Sequence, residues 1–277
     1  MIPRIYLLPL SLLASGVVAV APASATIVFA DDFADNDRTT DPAWFTIGSP
    51  AAVVINQEDG VLSLGRTQSN SHTYLASNWS GTALGDVGDE LAFSFTVKLT
   101  GDQGNRPNEI MFGIGNNNGT VPTADNQNVF VDDFGYIAAL GTSGGASGLL
   151  RDAGTEGFLG RAGSGDHTDV ASGLPGLAIT DTFQTYTLTL TRTAGGMDLA
   201  FTDGSTLVEV SDNSVPNNDF YTFNTVTFGY YNRNTENFLD VSSIDVTYSP
   251  IPEPSAYAAL FGLGALIAFL LRRRMRR

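Results

Sequence analysis

Between residues 26 and 250, apolar and polar side chains alternate with a period of two, as expected of strands with one buried and one wet face. Leu91-Ala92-Phe93-Ser94-Phe95-Thr96-Val97-Lys98-Leu99 is one clear case, and Phe183-Gln184-Thr185-Tyr186-Thr187-Leu188-Thr189-Leu190-Thr191 is another. Ala194-Gly195-Gly196 turns the second run into 197–201, and Asp203-Gly204 turns the chain again into 206–210. Asp59-Gly60 leads into 61–64 in the same way. Further strands are predicted at 27–29, 52–55, 109–114, 128–131, 225–231 and 238–248. No segment of this interval carries a capped 3.6-residue period. Many short strands with turn signals predict an all-β, two-sheet antiparallel sandwich.

Residues 141–176 break the alternation. Eleven glycines among Ser, Thr, Ala and Asp predict a long loop region around a short strand such as Gly157-Phe158-Leu159. This is not a phosphate cradle, because a P-loop needs a lysine after its second glycine and the only lysine is Lys98.

Both ends follow other rules. Arg4 precedes an apolar stretch over 5–20, and Ala23-Ser24-Ala25 supplies small residues where a signal peptidase reads. Residues 1–25 are therefore read as a secretory signal peptide cut after Ala25. A lasting N-terminal anchor is the competing reading, and Pro9 argues against it. At the other end Pro252-Glu253-Pro254 and Ser255 precede an uncharged run, 256–271, then Arg272, Arg273, Arg274, Met275, Arg276 and Arg277. Sixteen residues make roughly 24 Å of helix, short of a ~30 Å hydrocarbon core. Ser255 and snorkelling arginine stems extend it, so a transmembrane helix is predicted, with the arginines as a cytoplasmic membrane stop. A buried core helix is the alternative, and five terminal arginines argue against it.

The formal charge of −15 understates the middle. Residues 26–250 hold 8 basic and 28 acidic side chains, a net charge near −20. Such a surface repels nucleic acid and anionic lipid and attracts divalent cations. Cysteine is absent, which excludes thiolate zinc sites and cysteine nucleophiles.

The tail 251–277 resembles the PEP-CTERM sorting domain of Gram-negative envelope proteins, on the tripeptide Pro252, Glu253, Pro254, the helix 256–271 and the arginines of 272–277. The resemblance implies processing by an exosortase near the tripeptide, transient residence in the inner membrane, and association with exopolysaccharide and biofilm. The interval 26–250 resembles the concanavalin A-like lectin/glucanase jelly roll. The resemblance rests on Phe29-Ala30-Asp31-Asp32-Phe33 with Trp44 close behind, the strands at 59–64 and 90–99, the hairpin 185–201 and the closing strands 228–230 and 244–246. In jelly-roll modules of this kind a calcium ion ties the first strand region to the last, which here implies Asp32 with Asp245.

Glucanases of this fold carry Glu-x-Asp-x-x-Glu on a strand, so that two carboxylates flank the glycosidic bond. The glutamates stand at 58, 90, 109, 156, 209, 236 and 253, and no two are five apart. The motif is absent and no catalytic residue is assigned. His72 and His167 are the only histidines, and both read as surface residues. For hard cations the candidates are the clusters Asp31, Asp32, Asp35, Asp37; Asp132, Asp133; and Asn213, Asn217, Asn218, Asp219. Sugar faces need exposed aromatics with amide partners. Trp79, in a polar turn-like stretch, and Tyr231 with Asn232 are the candidates, while Trp44 reads as core. The leading expectation is an exported, non-enzymatic matrix protein, structural or polysaccharide-associated. A calcium-dependent lectin is the second and a glycoside hydrolase the third.

Overall fold

Alternation along the chain becomes two faces in space. The computed structural model describes residues 24–47, 53–66, 71–101, 109–125, 132–142, 147–154, 167–178, 180–232, 238–251 and 254–275. Its strands are β1 (Thr26–Asp31), β2 (Phe45–Ile47), β3 (Val53–Glu58), β4 (Val61–Arg66), β5 (Ser71–Ala83), β6 (Glu90–Thr100), β7 (Glu109–Asn116) and β8 (Phe134–Gly141). They continue as β9 (Gly148–Asp152), β10 (His167–Ser172), β11 (Gln184–Arg192), β12 (Met197–Thr202), β13 (Leu207–Asp212), β14 (Thr222–Asn232) and β15 (Phe238–Ser249). One sheet runs β13-β12-β11-β6-β15-β4-β3, with β1 also on β15; the other runs β10-β9-β8-β7-β14-β5-β2. Every pairing is antiparallel, and the two sheets form a jelly-roll sandwich.

On β6 every second residue is buried: Leu91, Phe93, Phe95, Val97 and Leu99 enter the core. Tyr186, Leu188 and Leu190 of β11 join them from the same sheet, and Phe112 of β7 and Phe228 of β14 from the other. Phe95 and Phe112 stack across the sheets with centroids 3.7 Å apart. Trp44 is fully buried, as expected, and its indole N–H donates to Asp31 at 2.6 Å. The opposite face of the eight-stranded sheet is lined by hydroxyls, which pair across strands as Ser94–Thr187 and Thr96–Thr185, both 2.9 Å.

A buried polar bridge joins the sheets. Arg151 of β9 donates to both carboxylate oxygens of Asp212 on β13, each at 2.6 Å. Tyr136 of β8 adds its hydroxyl at 3.2 Å and Ser214 its backbone N–H at 3.0 Å. Burial, and then the Asp212 charge, push the Tyr136 phenol upward.

Some expectations need correction. The stretch around Trp79 is not a turn but part of β5, thirteen residues long. The glycine-rich region holds the end of β8 and two further strands, β9 and β10. The predicted strand 128–131 and the segment Gly157-Phe158-Leu159 lie outside the described residues.

The C-terminal helix α1 spans Pro254–Met275 and so exceeds the apolar run 256–271 at both ends. Leu263, Leu266, Ile267, Phe269, Leu270 and Leu271 are all at least half exposed. Arg272, Arg273 and Arg274 occupy its last turn, where cations favour the helix dipole. No helix among the described residues is long and apolar enough to cross a membrane.

Candidate functional site

The core-forming residues fix which side chains stand on the outer face of the seven-stranded sheet. Pairing registers set those residues in rows. Asp152, Gly135, Gly115, Thr225 and Asn78 form the first row, across β9, β8, β7, β14 and β5. Leu150, Ile137, Gly113, Thr227, Ala76 and Phe45 form the second. Gly148, Ala139, Met111, Gly229 and Tyr74 form the third. Tyr74, Met111, Ile137, Ala139 and Leu150 make a second apolar cluster, separate from the core between the sheets. The register continues to Gly141, Glu109, Tyr231 and His72. The side chains of the last three, and of Asn232, lie outside those described.

Polar groups gather where the first row ends. Asn117 is buried, and its backbone N–H and side-chain oxygen both bond the Asn224 amide at 2.8 Å. Its side-chain N–H donates to Asn78 at 2.9 Å, and its oxygen also accepts the Gly119 N–H at 3.0 Å. Asn118 then reaches Asp132 at 3.1 Å.

Asp133 follows, fully buried, with no hydrogen-bond partner for either carboxylate oxygen among the described residues. Burial first, and then the charges of Asp132 and Asp152, push its carboxyl up to about 8. Asp152 is itself buried; it accepts the Gly154 N–H at 2.9 Å and faces the His167 ring at 3.3 Å. His167 was expected at the surface, but its side chain is only 2% exposed and its Nδ1 has no partner among the described residues. A Cβ at Gly154 would come within 3.0 Å of the Asp132 carbonyl, so this corner closes tightly around the two aspartates.

The other candidates fall elsewhere. Asp32 and Asp245 share a cleft of about 350 Å³ with Asp31, Asp35 and Asp41. Desolvation raises the Asp245 carboxyl. Its neighbours are largely committed: Asp31 to the Phe33 N–H and Trp44, Asp32 to the Ala34 N–H, Asp35 to Gln57 and Thr40. Trp79 packs on Phe29 with ring centroids 5.7 Å apart and bonds Thr82, which leaves it half-buried beside the core. The strand pairing shifts here, and Trp79 sits in the resulting bulge. Among the described residues no three acidic or histidine side chains converge on one point as metal ligands. Pro252, Glu253, Arg276, Arg277 and Ala23 lie outside the described residues; Ala25 is exposed.

The tail decides the chain's route. Residues 250–274 match the PEP-CTERM protein-sorting motif. The PEP-CTERM motif marks an exported exosortase substrate whose precursor is membrane-anchored. No curated protein matches the chain. Solved structures with the same fold include the Emp47p carbohydrate recognition domain, at TM-score 0.56 and 13% identity over 82% of this chain and 97% of that one. The potassium-bound Emp46p carbohydrate recognition domain matches at 0.52 and 11%, over 79% and 95%. An endo-1,3-beta-glucanase from Streptomyces sioyaensis matches at 0.53 and 14%, over 83% and 99%. These likenesses show the fold alone, a concanavalin A-like jelly roll.

Proposed function

We propose that this chain is a non-enzymatic component of the extracellular matrix whose sandwich associates with polysaccharide. A signal peptide cut after Ala25 exports it. The 256–271 segment then holds the precursor in the inner membrane with Arg272, Arg273, Arg274, Arg276 and Arg277 inside. Exosortase acts at Pro252, Glu253 and Pro254 and frees the acidic domain to the cell surface.

One observation carries the non-enzymatic reading. Along the outer face of the seven-stranded sheet the carboxylates of the described strands fall one to a strand, Asp152 on β9, Asp169 beside it on β10 and Glu109 on β7, whereas the glucanase motif sets its carboxylates along a single strand. Gly135, the partner of Asp152, and Gly141, the partner of Glu109, are six residues apart on β8, or roughly 20 Å. The carboxyls of glycosidases stand about 5–9.5 Å apart, and the separation of Asp152 and Glu109 exceeds that. The stretch between them is glycine, alanine and apolar side chains.

A calcium-assisted lectin is the second reading, favoured by Asp133. Two unpartnered, buried oxygens beside Asp132 and Asp152 suit a hard cation, with backbone carbonyls and water completing its shell. The carbohydrate recognition domains of Emp46p and Emp47p, one of them potassium-bound, support sugar and cation binding on this fold. The alternative cation position, Asp32 with Asp245, stays part of this reading, as do Trp79, Tyr231 and Asn232 as sugar contacts. With a net charge near −20, the domain favours neutral glycans, or anionic ones bridged by calcium.

A glycan array of the exported protein, in calcium and in chelator, tests both readings. Binding in calcium that Asp133→Asn abolishes and Asp245→Asn leaves intact supports the lectin with its cation at the polar corner. The reverse pattern moves the cation to the acidic cleft. Cleavage of any arrayed glycan overturns the non-enzymatic reading.

A further inference from the structure

The chain just before the sorting motif is not slack. Ser249, the last residue of β15, pairs with Glu90. Two residues on, the Ile251 backbone N–H donates to Asp89 at 3.0 Å. The other carboxylate oxygen of Asp89 accepts from the Tyr248 hydroxyl at 2.9 Å and the Asp86 N–H at 3.0 Å. Asp89 is only 2% exposed. Its own backbone is held from β11, where Arg192 donates its N–H to the Asp89 carbonyl and accepts the Gly88 N–H. The Arg192 side chain ties the Leu84 and Gly85 carbonyls at 2.6 Å each. Gly88 has φ of 98°, and a Cβ there would come 3.2 Å from the Ile251 side chain, so Ile251 lies directly on this loop. Only residues 252 and 253 separate it from α1.

We propose that Asp89 is a latch that gates cleavage at the sorting motif, by holding the upstream flank of the scissile region on the folded sandwich. The proposal rests on the exosortase reading above. A protease takes its substrate as an extended strand, through backbone hydrogen bonds on both sides of the cut. Here the backbone N–H of Ile251 and the rung at Ser249 are already engaged by the fold. Cleavage then waits on local opening of the last three residues, and its rate follows the population of the opened end. Burial works to raise the Asp89 carboxyl, but the hydrogen bonds from Asp86, Ile251 and Tyr248 outweigh it and hold it low. The latch therefore stays ionised and closed at neutral pH.

The test is a pulse-chase of the full-length chain in a cell that processes it. Asp89→Ala is expected to shorten the precursor's half-life about tenfold or more, the factor lost with one charge-assisted hydrogen bond. A six-residue Gly/Ser spacer between Ile251 and Pro252, which leaves the latch intact, should accelerate cleavage similarly and remove the effect of Asp89→Ala. It also keeps the test valid if Asp89→Ala fails to fold. An unchanged half-life with the spacer overturns the latch. Glu253→Ala separates the two ideas: a precursor still cut at the normal position refutes the exosortase reading, whereas an uncut Glu253→Ala alongside an unaccelerated spacer variant refutes the latch alone.

Discussion

Breaking the Arg151–Asp212 bridge from one side is expected to destabilise the sandwich by about 3–5 kcal/mol, because a buried charge loses its counter-ion. The two sides are not equivalent. Arg151→Ala leaves the Asp212 carboxylate with two donors, the Tyr136 hydroxyl and the Ser214 N–H, and belongs near the lower figure. Asp212→Ala strands a guanidinium whose Nε already lacks a partner among the described residues, and belongs near the upper. For a domain of this size the losses lower the melting temperature by about 6–20 °C. Arg151→Met with Asp212→Leu should cost less than either single change, since no unpaired charge remains. Urea titration followed by tryptophan fluorescence measures all three, and Trp44 in the core reports the transition. Single variants within about 0.5 kcal/mol of the parent, or a double variant as unstable as the sum of the singles, would refute the reasoning.

Two further outcomes follow from local geometry. A Cβ at Gly135 would collide with the Ile114 carbonyl and the Gly115 Cα, so Gly135→Ala should destabilise by about 2 kcal/mol or more and disturb the row carrying Asp152 in calorimetry. Asp89, held below its ordinary 3.8, contributes stability that is fully present above about pH 4 and is lost as pH falls through the lower folded value. Asp89→Asn should therefore flatten the acid limb of a stability–pH curve relative to the parent; parallel curves would show that its hydrogen bonds do not favour the ionised form.

Legibility in the sequence tracked how many faces of a strand are buried. On β6, β11 and β12 one face is wet, the period of two survives, and the strands could be read directly. β8 is buried along almost its whole length and β9 along all of it, because Ile137, Ala139 and Leu150 pack on the outer face while Tyr136, Ala138 and Leu149 pack in the core. Their alternation disappears into glycine and apolar runs, so β8 draws no strand prediction and β9 falls inside the predicted loop region 141–176. The polar corner was legible only in part. Asp132 and Asp133 stand out as an adjacent carboxylate pair, but Asn78, Asn117 and Asn224, like Asp152 and His167, meet only through strand pairing, and no local spacing announces them. Asp32 and Asp245 were read together from a fold resemblance, and they do share one cleft. The sorting motif was legible because its meaning lies in linear order and terminal position, which need no fold.

The central claim, a processed matrix protein that holds polysaccharide without cutting it, is tested most directly by co-sedimentation. The mature exported protein is mixed with insoluble exopolysaccharide from the producing cells, and pelleted protein and new reducing ends are measured together. Saturable pelleting with no rise in reducing ends is expected. Protein left in the supernatant, or reducing ends that accumulate with time, would contradict it.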